Sequence, residues 1–284
     1  MSMARRPREV FRPHPVLGWT LSPNARVKVP YRRDVVQTIG PDGWRTVPAP
    51  NGPTGATLAV YGCSFIYGTG LADHETCTAL LQAGLNDVRV INRGVGGHGT
   101  LQNYLQFRRD LRGGAIQAAV FGVMSDHRFR NIAHPQRMQQ LQAAEWYELG
   151  VEHVPRLCQD RLGGLEVDYV SIWQPSLRRR DFDAFLPDDH MIDQATLCVL
   201  KTIAALAASR PIPIVFALLD RMDPEFNELV LESFPQAFDI SVPLDVDHTF
   251  MPHDIHPNVR ANQLYAARLL PRLPAASGQM TGSN

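Results

Sequence analysis

Ser64, Asp254 and His256 have the residue types and setting for one chemistry, attack of an activated serine on an acyl group. Ser64 belongs to TLAVYGCSFIYGTGL, residues 57–71, where a strand-like run stops in Gly62-Cys63-Ser64. A serine in such a turn has its hydroxyl facing solvent and its backbone N–H directed at whatever the hydroxyl attacks. The plainer role for Ser64 is that of a helix cap. Acyl transfer also needs a base, an acid to orient it, and donors for the oxyanion. MPHDIHPN, residues 251–258, holds the first two. His256 fits the base, with Asp254 two residues earlier as its carboxylate. In a loop that spacing lets the carboxylate fold back beneath the ring. His253, the other neighbour, has no permanent negative charge and would compete for the proton. Gly97, in RGVGGHGT, leaves room for a backbone N–H to approach a developing oxyanion.

The elements that must position these residues alternate. Strands are expected at 57–61, 88–92, 115–124, 213–219 and 238–242, and helices at 75–84, 101–111, 136–149, 194–208, 223–233 and 258–273. The run AIQAAVFGVM is too apolar for a one-faced strand and fits a central parallel one. The expected fold is therefore α/β: a three-layer α/β/α, flavodoxin-like domain with a mostly parallel sheet and its site at the carboxyl edge. There Ser64, the Gly97 loop and Ser125-Asp126 converge. Residues 1–53 read as an arm and a small β cap with too few apolar positions to fold alone. Residues 48–53 form a joint and 54–274 the main domain. Within it, 133–193 is an insertion or lid with a hairpin at 151–170 and a basic, aromatic segment at 176–185. Residues 275–284 read as a frayed tail.

Composition narrows the partners. Lys+Arg and Asp+Glu are both 28, so no global charge recruits nucleic acid or an anionic membrane. No run reads as a membrane span, and the arginine-bearing N-terminus has no apolar signal core. The cysteines at 63, 77, 158 and 198 form no C-x-x-C pair, and reduced thiols in a cytoplasmic protein are the expectation.

Taken in order, these blocks resemble the SGNH (GDSL-type) hydrolase superfamily over roughly residues 57–273. Gly62-Cys63-Ser64 matches the family's Gly-Asp-Ser, which implies Ser64 as nucleophile and oxyanion donor. Asn92 through Gly97 matches Asn-x-x-x-x-Gly, implying a backbone donor at Gly97. Val123-Met124-Ser125-Asp126 falls on Gly-x-Asn-Asp, so Ser125 stands in the place of the oxyanion-hole Asn. His253-Asp254-Ile255-His256-Pro257-Asn258 falls on Asp-x-x-His-Pro-Asn. The departures are Cys63 for Asp, Ser125 for Asn, and an acid moved one residue closer to the base. GWTLSPN and IGPDGWR resemble the cap of some bacterial members.

The function expected is a serine esterase or acyl hydrolase acting on a small carboxylic ester through an acyl-Ser64 intermediate, with no cofactor and no metal. Acyl transfer to another alcohol would use the same residues. His98, Asp126, His127 and Asn131 are candidates to touch substrate or support the site, and His127 or Asn131 could replace the missing donor. Solvation is the alternative for the two histidines. Arg128, Arg130 and Arg178 to Arg180 would suit an anionic substrate or a plain basic face. Trp146, Tyr147 and Trp173 read as core or lid packing. Two other functions stay open. The run Asp245, Asp247, His248, His253, Asp254 and His256 would suit a metal hydrolase. Cys63 and Ser125 would suit a degenerate fold that only binds.

Overall fold

The computed structural model describes residues 7–30, 34–49, 55–114, 116–142, 144–159, 164–173 and 187–273. The chain opens with a short helix, α1 (Pro7–Val10), and two antiparallel hairpins. These are β1 (Phe11–His14) with β2 (Gly18–Leu21), and β3 (Arg26–Pro30) with β4 (Asp34–Thr38). The alternating core then begins with β5 (Thr57–Gly62), α2 (Ser64–Tyr67), α3 (Cys77–Gly84) and β6 (Arg89–Gly94). It continues through α4 (Thr100–Arg112), β7 (Ala118–Val123) and α5 (His127–Asn131). An excursion follows, made of α6 (Pro135–Leu141), α7 (Ala144–Leu149) and the hairpin β8 (His153–Gln159) with β9 (Leu165–Ser171). The core resumes with α8 (Asp189–Ala208), β10 (Ile214–Leu218), α9 (Pro224–Ser233) and β11 (Ala237–Asp239). It closes with a two-stranded hairpin, β12 (Thr249–Phe250) and β13 (Asp254–Pro257), and α10 (Val259–Leu269).

The five core strands pair in the order β11-β10-β7-β5-β6, every pair parallel. Numbered along the chain, that is the 2-1-3-4-5 order of flavodoxin-like sheets, with β5 and β7 on either side of the switch point where ligands bind. Both strands are buried on both faces, which is why they read as unbroken apolar runs. Tyr61, Phe121 and Phe216 face α4, α8 and α9, while Leu58, Val60, Val120 and Ala217 face α3 and α10. By length and apolar content α8 would pass for a membrane span. Its Ile192, Leu197, Val199, Leu200 and Ile203 are instead buried in the core.

Differences from the sequence expectation are local. Residues 136–149 form two helices rather than one. Asp73–Glu75 is a 3₁₀ turn, and Thr76 caps α3 by accepting from the Ala79 N–H at 3.2 Å. The fifth strand ends at Asp239 rather than Val242. The hairpin expected at 151–170 forms. The arm's residues 1–6, most of the joint, the segment 176–185 with Arg178 to Arg180, and the tail lie outside the described residues.

Candidate active site

Ser64 stands two residues beyond the end of β5 and begins α2, with extended Cys63 as the cap position. It is 9% exposed. The four-residue helix is too short to hold itself and is fastened from three directions. Asn92 in β6 donates to the Ile66 carbonyl (2.8 Å) and the Thr78 hydroxyl (3.0 Å). Gly94 lets the β6 backbone lie against α2, since a Cβ there would sit 2.4 Å from the Tyr67 nitrogen. The third support comes from the N-terminal cap. Arg45, with its side chain fully buried, donates to the carbonyls of Tyr67 (3.2 Å), Gly68 (3.3 Å) and Leu71 (2.7 Å) and to Asp73 (2.9 Å). Gln37 accepts from the Tyr67 hydroxyl at 3.0 Å.

His256 and Asp254 lie on β13, not in a loop. Side chains two apart on a strand share a face, so this spacing brings carboxylate and imidazole together without the fold-back expected from the sequence. Asp254 Oδ1 is 2.5 Å from His256 Nδ1 and accepts from the His256 backbone N–H at 2.9 Å. A proton on Nδ1 leaves the Nε2 lone pair free to act as a base. The His256 ring stands edge-on to Phe65, the residue after Ser64, with centroids 5.8 Å apart. Asn258 fixes the hairpin by donating to the carbonyls of Asp247 (2.8 Å) and Thr249 (3.1 Å) while capping α10. His253 is exposed.

Two backbone donors, at Ser64 and Gly97, are left over. Neither the Ser64 N–H nor the Gly97 N–H donates to another group among the described residues. Gly97 has φ +82°, a conformation that favours glycine, and Trp19 and Arg137 crowd the space a Cβ would take, each at 3.0 Å. Ser125 is differently placed from the sequence expectation. Its hydroxyl donates to Asp220 Oδ1 at 2.6 Å and its N–H to Oδ2 at 3.1 Å. A hydroxyl has one proton, and here it is committed to Asp220.

The remaining sequence candidates mostly hold elements together. His98 is fully buried, with Nε2 3.0 Å from the Trp19 carbonyl and Nδ1 3.2 Å from Gln106, so it is neither solvated nor free for substrate. Burial drives its pKa down to about 3. His127 is also fully buried, 3.2 Å from the Thr100 hydroxyl, and burial keeps it neutral. Asn131 accepts from the Leu101 N–H (2.8 Å) and donates to Thr196 (3.1 Å), joining α4, α5 and α8. Arg128 is paired with Asp193 and Asp223 and is not part of a free basic face. Asp126 pairs with Arg130; burial pushes its pKa up, but Arg130 and Arg137 outweigh this and hold it below the ordinary carboxylate range. Cys63 is buried 3.0 Å from the Met124 sulfur. Burial raises its pKa despite opposition from Arg130 and the Phe65 N–H, so it remains a thiol.

The His/Asp run separates into two pairs, Asp254 with His256 and Asp245 with His248 at 2.8 Å. Among the described residues no three His, Cys, Asp or Glu converge as metal ligands would. Asp220 and Arg45 are the residues that sequence reasoning passes over. Asp220 carried a signal, as an acid directly after the apolar run of β10.

Neither protein-family models nor curated proteins give a match to this sequence. Solved structures do. A protein assigned to the G-D-S-L lipolytic family from Desulfitobacterium hafniense is 12% identical over 77% of this chain and 99% of its own, with a TM-score of 0.46. The psychrotrophic esterase EstA from Pseudoalteromonas is 12% identical over 78% and 99%, with a TM-score of 0.44. The acetylxylan esterase Axe2 from Geobacillus stearothermophilus is 13% identical over 78% and 94%, with a TM-score of 0.41. Likeness at this level leaves the chemistry to be read from the chain's own residues.

Proposed function

We propose that this chain is an ester hydrolase of the SGNH type, working through an acyl-Ser64 intermediate. The observation that carries the reading is the Asp254–His256 pair, held on one face of a short strand with the imidazole against Phe65, next to the serine. His256 Nε2 takes the Ser64 proton as Oγ attacks the ester carbonyl carbon. The oxyanion formed is met by the N–H groups of Ser64 and Gly97. Asp254 holds the tautomer and stabilises the imidazolium. Collapse breaks the bond to the alkoxy oxygen, and His256 returns the proton to the departing alcohol. A water molecule, deprotonated by His256, then attacks the acyl carbon; a second collapse frees the acid and restores Ser64. An alcohol in place of that water would give acyl transfer.

These residues need no cofactor. The Ser64→Ala variant tests the reading: turnover of short-chain alkyl esters should fall by at least about 10³-fold with the fold intact. Unchanged kcat in that variant would end the serine mechanism.

A further inference from the structure

Three arginines lie around the loops of this site, and they differ in compensation. Arg128 has two carboxylate partners and Arg130 has one, Asp126. Arg137, on α6, has none among the described residues. Among the described residues its guanidinium meets only neutral acceptors, the Gly97 carbonyl at 3.4 Å and Gln140 Oε1 at 3.1 Å. It is half-buried and so within reach of a bound molecule. His98 and His127 are neutral. Among the described residues the groups that act on one another here are thus two guanidinium groups, Arg130 and Arg137, and one carboxylate, Asp126, an excess of one positive charge. Burial and Arg130 outweigh the opposing pull of Asp126 and lower the Arg137 pKa to about 10.

A half-buried cation short of a counter-ion loses part of its hydration, and an anion that pairs with it recovers some of that cost. A monoanion balances the excess, whereas a phosphate dianion would leave a net negative charge. The guanidinium fork also matches a carboxylate. The side of the ester follows from position. The leaving alcohol must lie against His256, whose ring is beside Phe65, whereas Arg137 covers Gly97.

We infer that the preferred substrate is an ester whose acyl group carries a second, free carboxylate, and that Arg137 binds that carboxylate. This rests on the serine-hydrolase reading above. Arg137 is then a specificity residue, brought to the site by the excursion between β7 and β8.

Monoethyl glutarate and ethyl valerate, which share a five-carbon acyl chain and differ in the terminal carboxylate, provide the test. The wild-type protein should favour monoethyl glutarate by at least about tenfold in kcat/KM. Arg137→Gln, which keeps an amide to reach the Gly97 carbonyl, should bring that ratio towards one. In the wild-type protein the KM for monoethyl glutarate should rise several-fold between about 0.05 M and about 0.5 M salt, while that for ethyl valerate stays flat. This salt arm does not require the variant to fold. Binding of monoethyl glutarate to the Ser64→Ala protein, followed by calorimetry, should weaken at least about tenfold when Arg137→Gln is added.

Equal turnover of the two esters by the wild-type protein would overturn the inference and leave the serine mechanism standing. So would an Arg137→Gln variant that lowers both alike. Arg137-dependent binding of monoethyl glutarate without turnover of either ester would uphold the anion site and sink the hydrolase reading. Absence of both Arg137-dependent binding and a preference for monoethyl glutarate would overturn the inference itself.

Discussion

Asp254 and His256 form a unit because a strand puts alternate side chains on the same face. The residue types and their spacing are legible in the sequence; the strand is not. His, Asp and Pro are poor strand formers, and the hairpin is imposed by Asn258, whose amide bonds to carbonyls in the preceding segment. Asp254→Asn should lower kcat by roughly 10³- to 10⁴-fold, measured against ethyl esters, while exposed His253→Ala does far less. The reverse order of effects would reassign the acid. Ser125 is the opposite case. The motif position suggests a catalytic donor, and only the folded chain shows its partner Asp220, 95 residues away. Ser125→Ala should therefore cost about 1–3 kcal/mol of stability in urea unfolding, by leaving a buried carboxylate short of a donor. A variant of unchanged stability but lower kcat would return Ser125 to the oxyanion hole.

At the scale of elements, α2 illustrates what sequence reading passes over. Four residues have no periodicity to detect, and the helix exists because Asn92 and Arg45 hold its carbonyls. Arg45 lies in a cap that looks peripheral in sequence yet sits against the turn that follows the serine. Arg45→Met should cost about 3 kcal/mol or more by stranding three carbonyls and Asp73, and kcat should fall with it as Ser64 loses its support. Equal stability and activity in the variant would show the cap to be ornamental. His98 makes the other join, between the cap and α4, and titrates accordingly. Its pKa falls from 6.5 to about 3 on folding, so between those values the unfolded chain binds the extra proton. Stability is then fully present above about pH 6.5 and declines as pH falls towards 3, by roughly 2 kcal/mol at pH 5 for this residue. Urea unfolding at pH 7 and pH 5 should show the loss, and His98→Gln should reduce it.

For the whole molecule, the sheet order is the most legible feature, because buried parallel strands must be apolar throughout and their crossovers right-handed. That order brings the ends of β5, β6 and β7 together at one edge, and α10 follows directly on the hairpin bearing His256. What sequence could not supply is the pairing of charges, since Arg128 with Asp193 and Asp223 depends on tertiary approach. The central claim is that this edge activates Ser64 towards electrophiles. Intact-mass analysis with peptide mapping after exposure to an alkyl fluorophosphonate tests it most directly. One phosphonyl group per chain should appear on the peptide holding Ser64, be absent from Ser64→Ala, and form far more slowly in His256→Ala. An unmodified native chain, or a label that persists in Ser64→Ala, would contradict it.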